Sequence, residues 1–335
     1  YPLIDGKVVG CPHHILEPAR TNLVTYSEDF SNAAWVKLGA GTGSAAIVTS
    51  DYAISPDGTQ NATRLQCDLN GGLTSSANQS LIYDSYTSSG NQSISIYVKS
   101  NTGSNQTIYF ANTQTSGDTI TVTSDWQRFE FSHSTAPYIV AIGLRGRSGG
   151  SIDDTADILI YGAQAEQASY PTSYIKSNSG SATTRSAETA NGAGDASTFN
   201  DSEGVFMAEI SALANDGGSR YISINSGSNA NEILYGFSPS GNYLRLRANS
   251  STVFESTISG IDDLSYSKSA IKYKSGDWSI YINGFERDLG NETFSFTSNI
   301  NELEFRGAAG SPFYGKTKQI QYYNSALTDS ELEQL

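Results

Sequence analysis

The chain has 335 residues, enough for two domains that each bury a core. Lys and Arg number 20 against 34 Asp and Glu, and the net charge of −14 argues against nucleic acid or an anionic membrane surface as partner, because their phosphates would repel it. Only 16% of residues are charged, Ser, Thr, Asn and Gly abound, and 20 Tyr, 13 Phe and 3 Trp exclude a disordered chain, so the composition is that of short strands joined by polar turns.

Residues 1–20 carry Pro2, Pro12 and Pro18 without sustained alternation, and an extended lead-in is expected there. Tyr1 in place of Met reads as the start of a fragment or processed product, with neither a secretion-signal pattern nor any run of about 20 apolar residues to insert in a membrane. Cys11, His13 and His14 could in principle meet a transition metal, but adjacent histidines do not easily face one ion and no second ligand cluster follows. Cys67 is the only other cysteine, so two idle thiols are expected rather than a disulfide framework.

A first domain is expected over 21–175. In Ser93–Lys99 the residues Ile94, Ile96 and Val98 fall on one face and Ser95, Tyr97 and Lys99 on the other, a half-buried strand. Thr107–Ala111 follows a short polar turn and reads as its hairpin partner. Further strands at Thr119–Thr123, Trp126–Ser132, Tyr138–Leu144 and Asp157–Tyr161 have the spacing of a sandwich or jelly roll. Residues 176–202 hold almost no large apolar side chains and read as a linker or arm.

The strand pattern restarts at Gly204–Ile210 and opens a second domain over 203–335. Its clearest element is a hairpin of Ala270–Lys274 with Trp278–Gly284, in which Trp278, Ile280 and Ile282 share an apolar face and Ser279, Tyr281 and Asn283 a polar one. Thr328 with Glu331 makes a capping box, and Leu327 can staple onto Leu332, which places a short helix at the end. The expected fold class is all-β: two tandem β-sandwich, jelly-roll domains with an extended lead-in and a short C-terminal helix.

Sugar rings present apolar C–H faces rimmed by hydroxyls, so exposed aromatic residues beside polar donors are the residues to seek. In Asn242–Arg247 the outward set Tyr243, Arg245 and Arg247 suits an acidic polysaccharide. Tyr97 and Tyr109 on the first-domain hairpin, with Arg128 nearby, form a second candidate set. Catalytic strings are missing: there is no Gly-x-Ser-x-Gly elbow, His133 has no evident nucleophile partner, and Glu302 and Glu304 share a strand face as any solvated sheet would have it. A non-enzymatic chain is therefore expected, with a polysaccharide lyase or glycosidase, or its accessory binding domains, as the alternative.

Three strings carry a family likeness: Leu16–Trp35, Ser55-Pro56-Asp57-Gly58-Thr59 and Ile160–Ile175. Together they resemble a carbohydrate-binding-like jelly-roll module recurring in tail and other structural proteins of bacteriophages, a likeness spanning about residues 12–190. Lys274–Gly284 with Lys318–Thr328 resembles the end of a laminin-G or concanavalin-A-like jelly roll, over about 203–335. The resemblance implies a virion-surface component, assembled in the host cytoplasm, such as a tail fibre, tail spike or head-surface protein. Its implied partners are a cell-surface or algal polysaccharide, other virion proteins and further copies of itself, a trimer by analogy with phage fibres; a purely structural scaffold is the alternative. Such modules often carry a structural calcium tying the start of the fold to its last strand, and Glu28, Asp29 and Asp157 occupy similar places, with Asp153 and Asp154 offering further oxygens.

Overall fold

The computed structural model describes residues 13–111, 118–134, 138–147 and 152–335, with the backbone of two short strands at Leu3–Ile4 and Lys7–Val8. Among the described residues it is all-β apart from one helical turn at Asp329–Leu332. Contacts divide the chain into two compact units, one holding Ala19–Ser186, the other holding residues 13–18 with Ala187–Leu335.

The first unit is a sandwich of two five-stranded sheets. One runs in the order Asp118–Val122, Gln106–Ala111, Ile139–Arg145, Gln79–Ser85, Val36–Ala40, the other Gln127–His133, Gln92–Ser100, Thr155–Glu166, Ala62–Asp68, Ile47–Ala53. Ile94, Ile96, Val98, Ile158 and Ile160 from the second sheet meet Ile108, Phe110, Ile142 and Ile82 from the first in a core with no solvent exposure beyond 1%. The alternation expected for Ser93–Lys99 is thus present, but its hairpin is not: Gln92–Ser100 and Gln106–Ala111 lie in opposite sheets. Two buried polar side chains turn the chain over the sandwich edge. Ser100 Oγ donates to Ser104 O at 2.6 Å, and Gln106 Nε2 donates to Ser100 Oγ and to Asp157 O, each at 2.7 Å.

The second unit pairs a six-stranded with a five-stranded sheet. The larger runs Phe285–Gly290, Trp278–Ile282, Ser267–Lys274, Glu203–Ala212, Gly315–Tyr323, His14–Leu16; the smaller Ser251–Ile258, Gly241–Ala248, Glu232–Ser238, Arg220–Asn225, Glu302–Glu304. The hairpin expected around Ser275–Asp277 forms, with Ile271 opposite Ile280. Trp278 is 5% exposed and stacks on Phe254 at 4.4 Å between centroids. The face expected to be polar is also covered: Tyr281 packs with Val205, Met207, Ala270 and Leu332, because the terminal helix lies on it. That helix begins as expected, Thr328 N–H donating to Glu331 Oε2 at 2.8 Å, with Leu327 and Leu332 in one apolar cluster.

Segments that look unstructured in sequence are partly built into the units. His14–Leu16 is an edge strand pairing with Gly315–Thr317, and Arg20–Asn22 pairs with Thr183–Arg185. Within 176–202, Ser177 is buried, Ala193 bridges to Leu303 and Phe199 enters the second core.

Candidate functional site

The smaller sheet of the second unit has an outer face on which polar and aromatic side chains stand together. Along Gly241–Ala248 the residues Asn242, Leu244, Leu246 and Ala248 are buried while Tyr243, Arg245 and Arg247 are half-exposed, as period two requires. Register then brings other strands into the group: Tyr243 lies opposite Gly236, and Gly236 opposite Tyr221. With no side chain at Gly236, the two tyrosine rings meet across it at 5.4 Å.

Arg245 is held in place. Its guanidinium bonds to the carboxylate of Glu232, a side chain with 0% exposure, and lies 5.9 Å from the Tyr243 ring centre. The other Glu232 oxygen accepts the Ala308 N–H at 2.7 Å. Burial is the largest single influence and would lower the Arg245 pKa, but the bond to Glu232, its charge and the contact with Tyr243 together outweigh it and the net shift is upward. Tyr243 is likewise shifted up, by burial first, with Arg245 opposing and neighbouring Glu255 reinforcing. Arg247 donates to Ser250 O at 2.7 Å.

Beside this group Arg306 donates to Glu304 Oε1 at 3.0 and 2.7 Å, Asn225 donates to Glu304 Oε2 at 3.0 Å, and Ser223 Oγ donates to Arg306 O at 2.8 Å. Glu304, expected on a solvated face, is therefore buried, at 3% exposure, because the chain from Arg306 onward returns over it. Chemically the face offers two aromatic rings, guanidinium donors and carboxylate acceptors. Glu232 and Glu304 are each engaged by an arginine, so neither stands free as an acid or base across a scissile bond.

In the first unit Tyr97 and Arg128 do meet, as cross-strand partners with the guanidinium 5.7 Å from the ring centre. Arg128 is bound to Ser95 Oγ at 2.8 Å, Thr172 O at 2.7 Å and Glu130 at 3.1 Å. Tyr109 is elsewhere: it is 0% exposed, on the other sheet, beneath Arg145. Its expected place beside Tyr97 fails with the hairpin.

The carboxylates considered for calcium have separate partners, Asp153 accepting the Thr107 N–H at 2.8 Å and Asp154 the Gly71 N–H at 2.9 Å, while Asp157, Asp29 and Glu28 belong to three further networks. Asp157 accepts Arg64 at 2.8 and 2.6 Å and Asn101 at 3.0 Å. Asp29 accepts the Ser31 N–H at 3.2 Å. Glu28 accepts Tyr161 at 3.1 Å, Tyr174 at 3.0 Å and Lys176 at 2.6 Å. Asp157 and Tyr161 are four residues apart on one strand, about 13 Å along an extended chain. No cluster of three or more His, Cys, Asp or Glu fit to hold a metal occurs among the described residues.

The Glu28 network has no signal in spacing, because it joins residues far apart in the chain, Glu28, Asp57 and Tyr161. Tyr161 reaches both Glu28 and Asp57, the latter at 2.9 Å, and Tyr174 contacts Ser27 Oγ at 2.6 Å. Burial, then the adjacent Glu28 charge, pushes the Tyr161 hydroxyl far up, which keeps it a proton donor. The network clasps the opening segment of the unit to its last long strand. In the second unit the residues that sequence reasoning missed are Tyr221 and Glu232, which reach the site only through register between strands.

The Cys-Pro-His-His string divides differently. His13 stacks on Tyr266 at 5.0 Å and His14 packs on Phe305 at 5.3 Å, while Cys11 lies outside the described residues. Cys67 is buried, and burial pushes its thiol up to about 12, which makes it unreactive.

No protein-family model and no curated protein sequence matches the chain. Among solved structures it is similar to the CBM40 of a Ruminococcus gnavus IT-sialidase bound to α2,3-sialyllactose, at 16% identity and a TM-score of 0.36 over 43% of this chain and 92% of that one. Mouse laminin α1 domains LG4-5 match at 10% identity and a TM-score of 0.30, over 96% of each chain. Domain 4 of an extracellular arabinanase from Geobacillus stearothermophilus, in complex with arabinotriose, matches at 13% and 0.26, over 96% of this chain and 98% of that one.

Proposed function

We propose that the protein is a non-enzymatic binding module that holds saccharide on the outer face of the smaller sheet in its second unit. The observation that carries this reading is the Tyr221–Tyr243 pair flanked by Arg245, whose guanidinium is fixed by the fully buried Glu232. An ion pair whose carboxylate is wholly buried adds little net stability, and apolar side chains of like volume would hold the sheet as well or better. Its use here is to hold a donor group beside two aromatic rings, the pairing of chemistries that a sugar requires.

The setting we propose, on the family likeness of residues 12–190, is a bacteriophage virion surface, as tail fibre, tail spike or head-surface protein attaching to host glycans. One shallow sugar site binds weakly because each hydroxyl was already satisfied by water. Repetition in a homo-oligomer, a trimer in this reading, turns weak sites into firm attachment. A glycan array probed with the parent chain and with Tyr243→Ala is the test: the parent gives signal and the variant does not. A blank array for the parent overturns the binding reading and leaves a structural scaffold.

A further inference from the structure

Two arginines on one strand suggest an acidic ligand, but the partners around them argue the opposite. We infer that the outer face of the second unit takes a neutral saccharide, an inference that rests on the binding reading above. Register places Arg247 between Glu232 and Thr252, and Arg245 between Leu234 and Glu255. Asn225 lies between Glu232 and Glu302, and Ser223 lies opposite Glu304. The ionic groups of this face are therefore the carboxylates of Glu232, Glu255, Glu302 and Glu304 against the guanidinium groups of Arg245, Arg247 and Arg306.

Two of those three guanidinium groups are already paired, Arg245 with Glu232 and Arg306 with Glu304. The side chains of Glu232 and Glu304 are 0% and 4% exposed, so neither can swing into water to release its arginine to a ligand. An anionic sugar reaching Arg245 would meet the charge of Glu232 behind it and that of exposed Glu255 beside it. The whole chain, at −14, repels polyanions as well. Hydroxyls fit the same surroundings: carboxylate oxygens accept from them, guanidinium N–H groups donate to them, and the rings of Tyr221 and Tyr243 cover C–H faces.

The test titrates the full chain with oligosaccharides matched in skeleton and differing in charge: a desulfated carrageenan hexaose against its sulfated form, and lacto-N-tetraose against its sialylated form. Within any pair that binds, the neutral member is expected to bind at least about tenfold more tightly, with little dependence on salt. Glu255→Gln, an exposed change, is expected to narrow that gap severalfold by improving the charged member while weakening the neutral one, which loses a carboxylate acceptor. A charged member that binds more tightly than its neutral partner, with affinity falling as salt rises, overturns the inference while the binding reading stands. No binding by any member, together with a blank array, fails the reading itself and the inference with it.

Discussion

Tyr161 in the first unit and Tyr243 in the second both project from the outer face of a sheet, and both stand within reach of a glutamate. Tyr161 is 5% exposed and its hydroxyl is divided between Glu28 and Asp57. Tyr243 keeps one side to solvent, and its neighbour Arg245 is braced from below. The same residue types thus close one face and furnish the other. Glu28, Asp57 and Tyr161 bind one another on the closed face and clasp the fold, whereas Tyr243 and Arg245 stay open to solvent on the other.

The comparison breaks most severely if Trp278, which we place in the second core, proves to be a surface platform. Trp278→Ala is expected to cost about 3–5 kcal/mol in denaturant unfolding, as for other buried large aromatics. Unchanged stability with lost sugar binding would move the functional face to the other sheet. Next in size is Glu232→Ala, which strands the half-buried Arg245 and is expected to cost about 3 kcal/mol as well as most of the saccharide affinity.

Tyr161→Phe sharpens the contrast from the other side. It leaves Glu28 and Asp57 each short of one donor, for an expected loss of about 1–3 kcal/mol, with saccharide affinity unchanged. Tyr243→Ala should do the reverse: a stability change within about 1 kcal/mol and an affinity loss of about tenfold or more by calorimetry.

These contrasts were only partly legible in the chain. Alternation over Ser93–Lys99, Asn242–Arg247 and Trp278–Ile282 is local, so faces and the three site residues on one strand, Tyr243, Arg245 and Arg247, could be read directly. The partner of Gln92–Ser100 could not, since a short polar turn serves a hairpin and a crossing between sheets equally. The Ser100 and Gln106 side chains decide it, and one of their bonds reaches Asp157, far along the chain. Glu232 was hidden for a similar reason, because its bond to Arg245 spans two strands. Polar residues opposite an apolar stripe also proved no guide to exposure, as Tyr281 under the helix and Tyr109 under Arg145 both demonstrate.

One expected effect depends on pH and is confined to the first unit. Burial raises the Asp84 carboxyl to about 6, with the Ser85 backbone N–H opposing. A folded-state value above the unfolded one means that the native state favours the proton. The associated stability is present below about pH 4 and lost as pH rises to about 6. Asp84→Asn should therefore gain on the parent in melting temperature between those limits, with a constant difference above them; a flat difference across that range would contradict the assignment.

The most direct test of the contrast between the two faces is hydroxyl-radical footprinting of the full chain, with and without the saccharide that the array selects. Protection of Tyr221 and Tyr243 is the predicted result, with Tyr97 and the exposed Tyr52, whose ring lies 5.0 Å from the Arg64 guanidinium in the first unit, both unchanged. Protection confined to Tyr52 and Tyr97 would place the sugar on the first unit and contradict the account.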